Sequence, residues 1–319
     1  MAGQTLWYGV SSIAARFLFY LLTPYLTLNL STNGYGDMSI LYAAIPFLNV
    51  IFTYGIETAY FRFASKEEYK KNIYSTAVIS ILCSTFFLII ILLFFRSALA
   101  HLLRLDNHPE FITYSALIIG FDTLATLPFA KLRLDQRPRK YALIRLSTII
   151  LQIAITYFLI SVCPPLAKKN PYGFIATFYK PAYGVGYVII ANLCASFFAL
   201  VLLHKEFFSF EFKFDRKLWI TMMIYSMPLI IAGFGGMINE TFDRIMLTWL
   251  APVANLSAAK NEVAIYSGCY KLSILITLFI QAFRMGAEPF FFKQAEGQNP
   301  QKVYARVMKF FVITITVMF

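Results

Sequence analysis

Nine charged side chains fall inside long apolar stretches of this chain: Arg16, Glu57, Asp122, Arg145, Glu240, Asp243, Arg244, Lys271 and Arg284. A charge at mid-membrane is tolerated only where it faces protein or water, so each needs a partner, a wet cavity or a ligand. Arginine and lysine suit phosphate: the guanidinium fork matches two phosphate oxygens, and the ammonium acts as a point charge. Carboxylates at the same depth suit a proton or sodium ion, or fix a cation in place.

Arg16 lies about ten residues into the first apolar stretch, roughly 15 Å deep at 1.5 Å per residue. It is either a phosphate ligand lining a cavity or a cap on carbonyls of an interrupted neighbouring helix. Arg244 admits the same ligand reading. Against it stands Glu240, one helical turn earlier, which an i,i+4 ion pair would join to Arg244; Asp243 adjoins it in sequence but is expected to point elsewhere on the helix. Lys271 either adds to a cationic cavity or snorkels outward along its stem. Asp122, in "LIIGFDTLATLPF", is the one carboxylate at mid-span before residue 204. It is an ion-coupling site or a fixed partner for Arg16. Arg145 and Arg284 lie near the inner surface, where snorkelling accounts for both, and Glu57 reads as interfacial.

The elements that carry these residues are membrane helices. The chain has 319 residues, 59% hydrophobic and 14% charged, with a mean hydropathy of +0.65. A soluble domain carries about 25% charged residues. Spans of about 20 apolar residues mark crossing helices, and eight are found: 6–30, 38–61, 73–95, 111–129, 141–162, 184–203, 218–250 and 263–283, with a ninth beginning near Val307. Backbone groups in lipid must be satisfied internally, which requires helices here, since the short alternating strands of a barrel are absent. The seventh span, at 33 residues and about 50 Å, exceeds a hydrocarbon core of about 30 Å. It must tilt, protrude or bend, and "AGFGG" at 232–236 offers a bend. The last stretch, "FFVITITVMF", is too short to cross, so the sequence reads as a C-terminally incomplete fragment. The opening "MAGQT" lacks a basic leader, so the first span is expected to be retained.

With the N-terminus inside, the inner loops hold seventeen Lys and Arg and the outer loops six. Basic residues favour the cytoplasmic side, which sets an N-in topology. The same alternation accounts for the net charge of +12 without nucleic acid. Four cysteines and three histidines form no metal spacing, and no nucleophile or phosphate-cradling glycine loop is visible. The outer loop "CPPLAKKNPYGFIATFYKPAYG" carries Tyr172, Phe174, Phe178, Tyr179 and Tyr183, which form an interfacial aromatic belt or stack on sugars.

A shift of 228 residues lays Arg16 on Arg244, Pro24 on Pro252, Asn33 on Asn261, Ser39 on Ser267 and Tyr42 on Tyr270. The correspondence suggests two lobes, residues 1–204 with helices 1–6 and residues 205–319 with helices 7–8 and the start of a ninth. Six helices per unit make the repeats parallel, related by an axis along the membrane normal. Transporters of this design hold substrate between their halves near the midplane.

The segments "GQTLWYGVSSIAARFLFYLLTPYLT", "GYGDMSILYA" and "YGIETAYFRF", and in the second lobe "INETFDRIML…VAIYSGCYKLSILITLFIQAFRMGAEPFFFK", resemble the O-antigen (Wzx-type), capsule and teichuronic-acid flippases of the multidrug/oligosaccharidyl-lipid/polysaccharide superfamily. That resemblance implies an all-α polytopic bundle with a MATE-like fold in the bacterial inner membrane. It implies translocation of undecaprenyl-diphosphate-linked oligosaccharide by alternating access, for O-antigen, capsule or exopolysaccharide assembly. The expected partners are that lipid-linked substrate, membrane lipid and other polysaccharide assembly proteins. No cofactor is implied, and coupling to a proton, sodium or membrane-potential gradient stays open. Arg16, Arg244 and Lys271 are the expected diphosphate ligands; Asp122, Glu240 and Asp243 serve ion coupling or charge pairing. A multidrug antiporter of the same fold would favour acids in its cavity. A polysaccharide polymerase or glycosyltransferase would carry a large outer loop with catalytic acids, and the longest here is about 20 residues without acids.

Overall fold

The structure is a computed structural model. It describes residues 2–318 apart from 65, 67, 171–172, 174, 176, 178, 181–182, 252–254 and 296–299. Side chains are also undescribed at 2–12, 15–16, 272–275, 277–278, 281–282, 284–300 and 318. Tyr172, Phe174, Phe178 and the side chains of Arg16 and Arg284 therefore lie outside the described residues.

The described chain is all-α. The helices are α1 (Ala2–Asn29), α2 (Thr32–Thr53), α3 (Ile56–Ala64), α4 (Ile73–Phe94), α5 (Arg96–Leu102), α6 (Glu110–Leu134), α7 (Pro138–Tyr157), α8 (Cys163–Lys169), α9 (Gly186–Leu202), α10 (His204–Phe207), α11 (Arg216–Leu250), α12 (Leu256–Ala295) and α13 (Pro300–Met318). A π-turn at Phe158–Val162 joins α7 to α8. Among the described residues, five helical segments are long and apolar enough to cross a membrane: Thr32–Thr53, Ile73–Phe94, Glu110–Leu134, Pro138–Lys169 and Arg216–Leu250. The chain is a polytopic membrane helix bundle, and the apolar stretches read from the sequence are largely helical.

Local chemistry sets the boundaries. Ser31 caps α2, its hydroxyl accepting from the Gly34 amide at 3.2 Å, and Asp215 caps α11 by accepting from Leu218 at 3.1 Å. Both satisfy amides that a helix start leaves unpaired. The second span is not one helix as expected. Tyr54 and Gly55 take positive φ of 37° and 71°, which stops α2 and starts the short α3. The reason is steric: a Cβ on Gly55 would stand 3.0 Å from Leu229 on α11, so the chain turns where that helix crosses. The last helix begins at Pro300, earlier than the apolar run, because proline is suited to a first helical position. The 35-residue α11 is continuous through "AGFGG". Gly233 there brings α11 close to α2, since a Cβ would sit 3.0 Å from Val50.

The bundle has two ends. The near end is where α1 begins and the far end is where α1 gives way to α2. A near-end core joins Ile56, Tyr60, Phe63, Ile73, Tyr74, Leu218 and Met222. A far-end core joins Leu26, Tyr35, Leu105, Phe111, Val188 and Ala264. The start of α11 thus lies at the near end, and α2 and α12 both start at the far end. α1 and α11 run one way, and α2 and α12 the other. α2 is central: it packs on α6, α11 and α12, while α1 packs on α7 and α12, and α9 on α6 and α7.

Candidate functional site

A cavity of about 660 Å³ opens among α1, α2, α3, α6, α7 and α9. Its near-end part carries Glu57 and Arg133, which form an ion pair. Deeper in, it is lined by Asp122, Arg145, Gln152 and Asn192. These positions are reached because α6, α7 and α9 pack against one another along their length and turn one polar face inward. Asp122 sits on the central helix α6 beside the buried Thr123, yet its side chain is exposed to the cavity. The Asn192 amide donates to the Tyr42 hydroxyl at 3.0 Å. The Arg145 guanidinium stacks over Phe129 at 4.5 Å.

Arg145 is exposed on the cavity wall, and Asp122 lies within its electrostatic reach. Among the described residues this is the cation that Asp122 faces; a pairing with Arg16 falls outside them.

A second charged cluster lies on the seam of α2, α11 and α12. The Arg244 side chain, 12% exposed, is bonded by its Nη1 to the Glu240 carbonyl at 3.0 Å and to Asp243 Oδ1 at 3.4 Å. Its guanidinium covers Tyr270 on α12 at 4.5 Å. Tyr266, also on α12, donates to the other Asp243 oxygen. Lys271 Nζ donates to the Tyr35 hydroxyl on α2 at 2.8 Å, with Arg244 in electrostatic range. Lys271 is turned inward and does not snorkel.

The expected carboxylate pair between Glu240 and Arg244 is not formed. Asp243, expected to point away, is the partner, because Tyr266 draws its carboxylate towards α12 where Arg244 also reaches. Glu240 offers only its backbone carbonyl and its side chain is exposed. Arg244, Lys271, Glu240 and Asp243 are absent from the cavity lining, whereas Asp122 is on it. The sequence-derived residues thus divide between two places.

At the far end α2 and α12 are bolted together. Lys260 pairs with Asp37 at 2.7 Å, the two side chains 10% and 15% exposed, and Asn33 donates to Ser257 at 2.7 Å. The helices meet closely at Gly36, where a Cβ would overlap the Lys260 carbonyl oxygen. Beside them the Trp249 indole donates to the Leu102 carbonyl at 3.1 Å and lies under the Arg104 guanidinium. In the neighbouring loop, Tyr179 stacks on Tyr187 and Tyr183 meets Phe111 edge-on, so these two rings of the aromatic loop pack on protein. No group of His, Cys, Asp and Glu that could hold a metal occurs among the described residues.

Sequence reasoning passed over Asp37, Lys260, Gln152 and Asn192. The last two carried a usable signal, since amides inside apolar spans are rare and face the bundle interior. Lys260 and Asp37 had none, because each stands beside a loop where charge is ordinary.

Comparison with known proteins bears on this arrangement. Residues 2–294 match the model of a family described as polysaccharide biosynthesis protein. The chain is similar to Lsg locus protein 1 of Haemophilus influenzae, 19% identical over 297 residues. That alignment covers 90% of this chain and 64% of the relative's length. No solved structure matches the chain. The family match spans both the cavity helices and the charged seam, and this chain belongs to the polysaccharide biosynthesis protein family.

Proposed function

We propose that the chain is a flippase that moves undecaprenyl-diphosphate-linked oligosaccharide across the bacterial inner membrane by alternating access. The observation that carries this reading is the charge-lined cavity among the apolar helices of the first lobe, beside an ion-paired contact of α2 with α12 that ties that lobe to the second. A polar cavity between membrane helices is what a transporter needs and a scaffold does not. In this reading the near end is cytoplasmic, as the loop charges favour, and the lobes are residues 1–204 and 205–319. The shared direction of the pairs α1–α2 and α11–α12 supports a parallel repeat. So does the reciprocal packing of α1 on α12 and α11 on α2.

Arg244 and Lys271 hold the diphosphate, with Arg16 as the equivalent position of the first lobe. Two cations, Arg244 and Lys271, meet on the seam with Lys271 bonded, among the described residues, only to a neutral tyrosine hydroxyl, which suits an anion. Asp122 serves ion coupling or charge pairing with Arg145. The chain acts as a carrier and not as a polymerase or glycosyltransferase.

Deleting the gene and labelling each leaflet separately tests this. A flippase deletion strands the lipid-linked oligosaccharide in the cytoplasmic leaflet. Normal display of that lipid on the outer leaflet, with only its polymerisation lost, would instead identify an enzyme.

A further inference from the structure

We infer that the cavity of α1, α2, α6, α7 and α9 is a chamber for the sugar moiety, separate from the cation seam and selective for uncharged glycan. The inference rests on the flippase reading and names what this cavity recognises.

The balance of charge comes first. Glu57 and Arg133 neutralise each other, leaving Asp122 and Arg145, one of each sign. The cavity is therefore no anion trap, and the diphosphate has no reason to sit there. Its deep polar groups are amides and hydroxyls: Asn49, Gln152, Asn192 and Thr123. An amide offers donors and an acceptor together, as does a hydroxyl, and sugar hydroxyls present the same mixture. The buried Thr123 hydroxyl has no hydrogen-bond partner in the protein, although it lines the cavity. That oxygen is sealed from the cavity space, so it adds to the polarity of the wall and not to its contacts. Tyr141 adds an aromatic ring to the lining, edge-on to the Phe129 ring that Arg145 covers. The volume of about 660 Å³ falls within the range of small-molecule sites. A cationic drug would call for a surplus of acids, which is absent among these lining residues.

One stripe of α2 links the chamber to the seam. Tyr35, Tyr42 and Asn49 are spaced seven residues apart and share a face of the helix. Tyr35 accepts from Lys271, Tyr42 accepts from Asn192, and Asn49 lines the cavity. The fourteen steps from Tyr35 to Asn49 cover about 21 Å, which sets the distance along α2 between the seam bond and this lining residue.

The test compares two probes in detergent: bare undecaprenyl diphosphate, and the same lipid carrying a neutral trisaccharide. The unmodified protein should bind the glycosylated lipid more tightly. Gln152→Leu and Asn192→Leu should each weaken binding of the glycosylated lipid by roughly 2- to 10-fold, the value of one hydrogen bond, and leave the bare lipid unchanged. Arg244→Ala should weaken both. Asn192 also bonds Tyr42, so if its variant loses both lipids and its cooperative melt, Gln152→Leu decides. The inference is overturned if the unmodified protein shows no preference for the glycan, or if Gln152→Leu keeps that preference in full. If the preference behaves as expected but reconstituted vesicles move neither lipid, the flippase reading fails and the sugar chamber stands.

Discussion

Lys260 Nζ and Asp37 Oδ1 lie 2.7 Å apart between α12 and α2, largely shielded from solvent, next to a helix contact so close that only glycine fits at position 36. In an alternating-access cycle this joint is what must part. Removing one partner strands the other charge, and breaking a buried pair costs about 3–5 kcal/mol; residual exposure of both groups places the effect at the lower end. Asp37→Asn should therefore shift the protein towards the far-open form. A cysteine at Asn33, reacted with a membrane-impermeant maleimide from the far side, should label faster in that variant. Equal labelling rates would show that the pair does not hold the end closed.

Gly36→Val should act more strongly than the charge change, because the new side chain would overlap the Lys260 carbonyl oxygen and no rotamer relieves a clash at Cβ. The same maleimide assay should show a permanently accessible Asn33→Cys site and loss of transport. Wild-type closure in this variant would mean that α2 and α12 do not meet here.

The Arg244 guanidinium is expected to carry a charge-assisted bond to diphosphate, worth about 1.5–3 kcal/mol. Arg244→Ala should weaken binding of the diphosphate lipid roughly 10- to 150-fold. Arg244→Lys should recover only part of it, because lysine lacks the fork. Arg16→Ala should behave like Arg244→Ala. If both alanine variants insert and bind normally, the cluster of Arg244, Asp243 and Tyr266 is purely a structural tie between α11 and α12.

Asp122→Asn separates two roles. An ion-coupling carboxylate predicts loss of gradient dependence with binding kept. A pure charge partner of Arg145 predicts a lower melting temperature, since one charge is left unmatched. Measuring both properties on one preparation distinguishes them, and no change in either would reject both.

Gly55 holds a left-handed backbone at the α2–α3 turn, against Leu229. A side chain in that region costs roughly 1–2 kcal/mol per residue. Gly55→Val should lower the thermal midpoint while leaving ligand preference intact. An unchanged midpoint would contradict the tight crossing of α11 at this turn.

Much of the fold was legible because membrane solvation leaves few options. Long apolar runs must be helices, and that class was readable from hydropathy. The Tyr54–Gly55 break was not, since it depends on Leu229, more than 170 residues away in sequence. The site was legible by residue type and less so by partner. That Arg244 and Lys271 stand inside apolar spans was readable; that Lys271 turns inward to Tyr35 is set by the packing of α12 on α2. That Asp243 rather than Glu240 meets Arg244 is decided by Tyr266 on another helix, where intrahelical spacing has no say. Arg145 was read by depth alone, which does not tell that it shares a cavity wall with Asp122 on another helix.

The central claim is transfer of a lipid-linked sugar, and the most direct measurement follows that transfer. The full protein is reconstituted into vesicles loaded with undecaprenyl diphosphate carrying a fluorescent trisaccharide, and a membrane-impermeant quencher reports how much label remains protected. Protein-containing vesicles should lose the protected label over minutes as lipid reaches the outer leaflet, and vesicles with Arg244→Ala should lose it at least about ten times more slowly. Correctly inserted protein that leaves the protected fraction the same as in protein-free vesicles would contradict the account.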